Sequence, residues 1–375
     1  MRKITDIDIN NKNVIIRFDY NVPIKNGKIT DDTRIIKSLK TLNYSIERAN
    51  RIVILSHLGR IKTEDDIKNN SLKVVCDYLS NLINKPITFC DYNMDSLPNA
   101  KIIMMENTRF FDLDNKKESN CDRGLSKYFS SFGEVFINDA FGVSHRENAS
   151  NVGISKYLPS VNGFLIEEEV NNLNKLFEPD RPFLLIMGGA KVSDKIGVIN
   201  NLITKVDKLL IGGKMVYTFL KANNYDISSD MYEDEYISYC KELLDNYKDK
   251  IVLIEDNYNE KKELIDIKDM TINDKGLDIG IKTVNKFKEE IEKSNTILFN
   301  GTLGLCEEGY TFGTIEILKS LNDNKGYIVV AGGDTVSAVN NLLGDNHFIL
   351  STGGGASLEY LEGKKLKGIF YEEEE

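Results

Sequence analysis

The 375-residue chain is 41% hydrophobic and carries 48 basic against 58 acidic side chains, a formal net charge of −10. Its length favours about two domains. No apolar run approaches the ~20 residues of a membrane span, and the opening "MRKITDIDIN" lacks a signal peptide's apolar stretch, so a soluble cytoplasmic protein with no membrane partner is expected. In chain order, short branched-aliphatic runs bounded by turn residues recur: "NVIIRF", "RIVILS", "KIIMME", "EVFIND", "FLLIMGG", "KLLIGG", "KIVLIE", "TILFNG", "YIVVAGG" and "FILSTGG". Most are separated by helix-length stretches, the pattern of buried parallel strands with crossover helices. Two doubly wound parallel-sheet (Rossmann-like) α/β domains follow, over residues 1–160 and 178–359. A helix over 161–177 joins them, with Ile166, Val170, Leu173 and Phe177 on one face.

Residues 1–180 balance 25 basic against 25 acidic groups, so the charge excess lies in 181–375, which argues against nucleic-acid binding. The terminal "YEEEE" reads as a solvated acidic end. Cys76, Cys90, Cys121, Cys240 and Cys306 are widely spaced, with neither a CxxC pair nor a disulfide-like framework.

All ten arginines lie at or before position 181. In the first half, "RFDYNVP", "DDTR", "SHLGR", "ENTRF" and "DAFGVSHR" place Arg34, Arg60, Arg109, Arg146, His57, His145, Asp19 and Asn21 at predicted strand ends. Guanidinium forks grip phosphate and carboxylate groups bidentately, so this set points to a small polyanionic metabolite. Each arginine taken singly fits a surface ion pair better, and it is four together at predicted strand-end loops that argue for the metabolite; neither a Ser/His/Asp arrangement nor a metal-ligand histidine spacing stands out.

In the second half, five predicted strands end in glycine turns: "GGAK", "GGKM", "NGTLG", "GGDT" and "TGGG". Glycines at the carboxyl ends of parallel strands let backbone N–H groups approach phosphate. They are also ordinary turn residues. Neither GxxxxGK[ST] nor GxGxxG occurs, which weighs against a P-loop NTPase and a dinucleotide dehydrogenase. With "SDKIGVINNL" starting a helix, Lys191 falls in the turn and Lys195 in the first helical turn, both near phosphate. Asp334 suits a Mg²⁺ ion bridging nucleotide phosphates.

These stretches, in this order from "RFDYNVP" through "GGAKVSDKI", "GLDIG" and "FNGTLG" to "STGGGASLEYLEGK", resemble the phosphoglycerate kinase family over nearly the whole chain. The resemblance implies reversible phosphoryl transfer between 1,3-bisphosphoglycerate and ADP, giving 3-phosphoglycerate and MgATP. It implies triose-acid contacts at Asp19, Asn21, Arg34, His57, Arg60, Arg109 and Arg146. On the nucleotide side it implies Lys195, Asn300, an adenine slot at Gly276 and Leu277, a ribose contact at Glu307, and a phosphate loop at Gly332, Gly333, Asp334 and Thr335. Lys191 resembles the lysine that meets the transferring phosphoryl group, with Arg34 opposite and Gly353, Gly354 and Gly355 at a helix N-terminus nearby. Such transfer rests on positioning and charge neutralisation, and the acceptor carboxylate is already ionised at neutral pH, so no general base is required. Domain closure is expected to join the two substrates, with hinges near 160–180 and at Ser351 and Thr352. The family's pattern also implies a monomer whose residues 360–375 return to the first domain.

Three positions depart from the family pattern. Lys214 stands where a third glycine is usual, Ala331 replaces a glycine before "GGDT", and Thr302 replaces a proline. Lys214 either crowds the base slot or contacts the base. Two rivals follow: a non-catalytic anion- or nucleotide-binding protein on the same fold, and a kinase for another small acid. The presence of Arg34, Lys191 and Asp334 opposes the first, and the full arginine set opposes the second.

Overall fold

Val14, Ile15 and Ile16 are all fully buried, although strand neighbours point to opposite faces, so both faces of their sheet must be covered. The computed structural model, which describes residues 1–372, shows how. Its strands are β1 (Asn13–Arg17), β2 (Ile24–Lys25), β3 (Lys28–Ile29), β4 (Arg51–Leu55), β5 (Thr88–Cys90), β6 (Ile102–Met105), β7 (Val135–Asn138) and β8 (Ser160–Asn162) in the first half. The sheet β5-β6-β4-β1-β7-β8 is parallel at every pairing, and β2 and β3 form a separate antiparallel pair. Alternation sorts the core into two layers. Val14, Ile16, Ile52, Ile54 and Met104 pack on one face, and Ile15, Val53, Leu55, Ile103 and Phe136 on the other.

The second half adds β9 (Phe183–Met187), β10 (Lys208–Ile211), β11 (Ile251–Val252), β12 (Asp256–Asn259), β13 (Leu264–Asp266), β14 (Gly276–Ile279), β15 (Thr296–Asn300), β16 (Tyr327–Ala331) and β17 (Ile349–Leu350). They form a parallel sheet β11-β10-β9-β15-β16-β17 and an antiparallel sheet β13-β12-β14. All-parallel doubly wound domains were expected, so this antiparallel sheet is an addition. Its central strand is polar, and buried Asp256 accepts the backbone N–H groups of Lys282 (2.9 Å) and Thr283 (2.8 Å), fastening the Ile281–Glu292 helix.

The chain divides into two compact units, 1–170 with 365 onward, and 171–364. The expected joining helix is shorter than 161–177. Ser160–Asn162 instead pair with Phe136–Asn138 as an edge strand, and the helix runs Phe164–Asn174, leaving Phe177 beyond its end. Asp139 Oδ1 accepts the N–H groups of Leu165 (2.9 Å) and Ile166 (3.2 Å), fixing the helix start. The Gly355–Leu361 helix stays within the second unit. In the first unit, Asn138 Nδ2 donates to the Gly368 carbonyl (2.6 Å) and Phe370 N–H donates to Asn162 Oδ1 (3.0 Å). Of the acidic end, residues 373–375 lie outside the described residues. Among the described residues no helix is long and apolar enough to cross a membrane.

Candidate functional site

In the first unit, the loop after β1 brings Asp19 and Asn21 beside Arg34 at the start of the Thr33–Arg48 helix. Arg34 Nη1 lies 3.0 Å from Asp19 Oδ2 and donates to the Asn21 carbonyl at 3.0 Å. Asn21 Oδ1 accepts the Gly59 N–H (2.8 Å), and Arg109 Nη1 donates to the Gly59 carbonyl (2.6 Å). Four loops are thereby tied into one cluster. His57 is 3% exposed, with Nδ1 4.0 Å from Asp19 Oδ1. Arg109 is buried, whereas Arg60 and Arg146 are exposed. Burial holds the His57 pKa well below the ordinary histidine value, and the charges of Arg17, Arg109, Arg34 and Arg146 push it the same way. The fields of Arg34, Arg109 and Arg146 all reach this imidazole, so the structure gathers those predicted residues into one cationic cluster.

Two residues not singled out from sequence complete the cluster. Arg17, at the end of β1, is 1% exposed; its Nε donates to Ser150 Oγ (2.9 Å), its Nη1 to the Phe18 carbonyl, and its Nη2 lies 3.2 Å from His57 Nδ1. Buried Glu118 accepts the Ser150 N–H (3.0 Å), the Ser150 hydroxyl and the Thr108 hydroxyl (3.1 Å). Burial raises the Glu118 pKa, opposed by Arg17 and Ser150. A charged residue inside an apolar strand run was the available signal for Arg17.

In the second unit, the loops after β9, β10 and β15 interlock through backbone. Gly189 N–H donates to the Thr302 carbonyl (2.9 Å), and Met215 N–H to the Gly189 carbonyl (3.0 Å). A Cβ on Gly213 (φ +62°) would lie 2.5 Å from Gly189 N, and one on Gly301 (φ +95°) 2.2 Å from the Gly188 carbonyl oxygen. Glycine is therefore demanded here by loop packing as well as by any ligand.

Beside these loops is a cavity of about 860 Å³, lined by Gly276, Leu277, Glu307 and Asp334 among the predicted residues, and also by Lys214 and Thr302. Asp278 and Tyr217 line it as well and were not anticipated. Burial raises Asp278 to about 7, against the backbone N–H groups of Gly313, Ile279 and Phe312. Lys275 pairs with Asp230 on the same lining.

Lys191, Lys195, Asn300, Gly332, Gly333, Thr335 and Gly353–Gly355 lie outside this lining, within the same unit. Lys195 Nζ donates to Asn300 Oδ1, and Asn300 Nδ2 donates to the Ala331 carbonyl (2.6 Å). Thr335 Oγ1 accepts the Gly301 N–H (2.7 Å). Lys191 is exposed in the turn. Lys195 is the residue before the Ile196–Leu202 helix rather than in its first turn. The cause is Glu233, whose carboxylate accepts Val192 N–H (2.6 Å) and Ser193 Oγ–H (2.6 Å) and holds residues 192–195 as a turn.

The model of the family described as phosphoglycerate kinase matches residues 4–364. The chain belongs to the phosphoglycerate kinase family. It is 43% identical to the phosphoglycerate kinase of Macrococcus caseolyticus over 385 residues, covering 98% of this chain and 97% of that one. The Fusobacterium nucleatum phosphoglycerate kinase is 44% identical over 392 residues, covering 98% of each chain. Among solved structures, the Coxiella burnetii phosphoglycerate kinase superposes with a TM-score of 0.85 at 34% identity, and that of Pyrococcus horikoshii with 0.82 at 27%, each covering 98% of this chain and 97% of the other.

Proposed function

We propose that the chain is an active phosphoglycerate kinase that transfers a phosphoryl group from 1,3-bisphosphoglycerate to ADP and, in reverse, from ATP to the carboxylate of 3-phosphoglycerate. The observation that carries this reading is the cluster of Asp19, Arg34, His57 and Arg109. Its excess positive charge and fork donors suit a ligand with a phosphate at one end and a carboxylate or acyl phosphate at the other.

The triose acid is held by Asn21, Arg60 and Arg146 together with that cluster, and the nucleotide by the cavity of the second unit. In that cavity Gly276 and Leu277 flank the base and Glu307 takes the ribose, while the phosphates extend past Asp334 toward Lys195, Asn300, Gly332, Gly333 and Thr335, outside the lining. Arg34 and Lys191 neutralise the equatorial oxygens of the group in flight, and in-line transfer after closure of the units needs no proton acceptor. The Gly355–Leu361 helix is only seven residues long, so Gly353–Gly355 contribute mainly backbone N–H donors rather than a large dipole.

Asp334 fits a magnesium ion. Its exposed carboxylate, in the first turn of the Gly333–Leu342 helix, makes no side-chain hydrogen bond or ion pair with another described residue and faces the cavity. One carboxylate with nucleotide oxygens and waters is the usual magnesium environment, and the ion would offset phosphate charge. A monomeric cytoplasmic enzyme is proposed.

The test is turnover with ATP, Mg²⁺ and 3-phosphoglycerate, coupled to glyceraldehyde-3-phosphate dehydrogenase and read as NADH loss. Turnover that falls roughly 100-fold or more in Lys191→Ala supports the reading, by analogy with loss of one transition-state donor. Ligand binding without turnover in the wild type overturns it in favour of the non-catalytic alternative.

A further inference from the structure

We propose that Arg17 locks His57 as the neutral tautomer with its proton on Nε2, making His57 an uncharged hydrogen-bond donor inside the arginine cluster. Arg17 Nη2 lies 3.2 Å from His57 Nδ1, with both side chains buried. A guanidinium has only donors, and arginine stays protonated in proteins. The contact is therefore a hydrogen bond only if Nδ1 accepts, which leaves the imidazole proton on Nε2.

The donor cannot swing away to accommodate another state. Arg17 is 1% exposed, its Nε is held by Ser150 Oγ, its Nη1 by the Phe18 carbonyl, and the Ser150 hydroxyl is in turn held by buried Glu118. An imidazolium would turn an Nδ1–H against a guanidinium N–H. The other groups facing His57 agree. Arg34, Arg109 and Arg146 repel a positive imidazole, and the carboxylate of Asp19 is 4.0 Å from Nδ1, too far to draw a proton there by hydrogen bonding.

An arginine-rich anion site would ordinarily be expected to count its histidine as one more cation. Here His57 contributes direction without charge, so anion affinity gains nothing from His57 as pH falls through the range where a free histidine titrates. This consequence for binding rests on the triose-acid reading above, whereas the tautomer does not.

The experiment uses the full-length ¹⁵N-labelled protein and long-range ¹H–¹⁵N spectra of its imidazoles. The chain has three histidines, His57, His145 and His347, and His57→Asn assigns the signal of interest. Between about pH 5.5 and 8, His57 is expected to keep an unprotonated Nδ1 and a protonated Nε2 with no titration. A protonated Nδ1 at neutral pH, or an imidazolium titrating near 6.5, overturns the proposal. In Arg17→Met, with folding checked by thermal unfolding, the single tautomer should give way to a mixture and the apparent pKa should rise, because one facing cation is removed. An unchanged single Nε2–H tautomer in that variant also overturns it. Titrating 3-phosphoglycerate into the wild-type sample separates the two claims, because a locked tautomer whose signals do not move on addition leaves this proposal standing and counts against the triose-acid site.

Discussion

Asp19 Oδ2 stands 3.0 Å from Arg34 Nη1, and the Asp19 side chain is almost wholly shielded from solvent. The carboxylate aims the guanidinium at one position, which is what the role proposed for Arg34 at the transferring phosphoryl group requires. Asp19→Asn should leave Arg34 present but loosely placed, lowering kcat/KM for 3-phosphoglycerate by roughly tenfold. Arg34→Ala should cost roughly 100-fold or more, mostly in kcat. Steady-state kinetics of both variants check the order; equal losses would mean that Asp19's own place in the triose-acid cluster outweighs its aiming of Arg34.

Asp139 caps the Phe164–Asn174 helix from a fully buried position, and burial raises its carboxyl to about 7, opposed by the Thr41 side chain and the Ile166 and Leu165 N–H groups. Its folded pKa lies above the unfolded value of about 3.9. Between those values the folded state holds a proton that the unfolded state has lost, so the contribution of this group falls as pH rises from about 4 to about 7, by up to roughly 4 kcal/mol. Asp139→Asn keeps the acceptor and loses the titration. Urea unfolding should show the variant gaining on the wild type as pH increases across that window, with a difference that shrinks toward pH 4.

Gly213 and Gly309 both have positive φ, yet only Gly213 is crowded by backbone: a Cβ would lie 2.5 Å from Gly189 N, against nothing within 4 Å at Gly309. Gly309→Ala should cost about 1–2 kcal/mol, the left-handed penalty alone. Gly213→Ala should cost clearly more and distort the loops beside the cavity, weakening nucleotide binding. Denaturant midpoints and ADP calorimetry on the two variants make the comparison.

Removing the Asp334 carboxylate should raise the Mg²⁺ concentration for half-maximal turnover several-fold, with little change in the KM for 3-phosphoglycerate. A magnesium titration of Asp334→Asn at fixed total nucleotide reads this directly.

Much of the fold was legible because the parallel strands of both units are buried on two faces and appear as unbroken aliphatic runs, such as Ile52–Leu55 and Phe183–Met187. Where burial is satisfied by polar contacts that reading fails. Asp256, Asn257 and Asn259 form a strand whose buried side chains are polar, and Ser160–Asn162 is too short to stand out beside the helix that follows it. The candidate triose residues were legible from arginines at strand ends. Glu118 was not, and for Arg17 the sequence offered only a charge at the end of an apolar run, since the roles of both depend on Ser150, 133 residues from Arg17 in sequence. The start of the helix after Lys195 was misplaced for the same reason, because it is set by Glu233, 41 residues from Val192.

In the proposed reaction each unit holds one substrate, the triose acid in the first and the nucleotide in the second. Calorimetry of 3-phosphoglycerate and of MgADP, each titrated into Arg109→Ala and Lys195→Met, tests it most directly. A crossed pattern is expected: Arg109→Ala weakens 3-phosphoglycerate binding by roughly tenfold or more and leaves MgADP unchanged, and Lys195→Met does the reverse. Weakening of both ligands by either variant, or of neither by both, would contradict it.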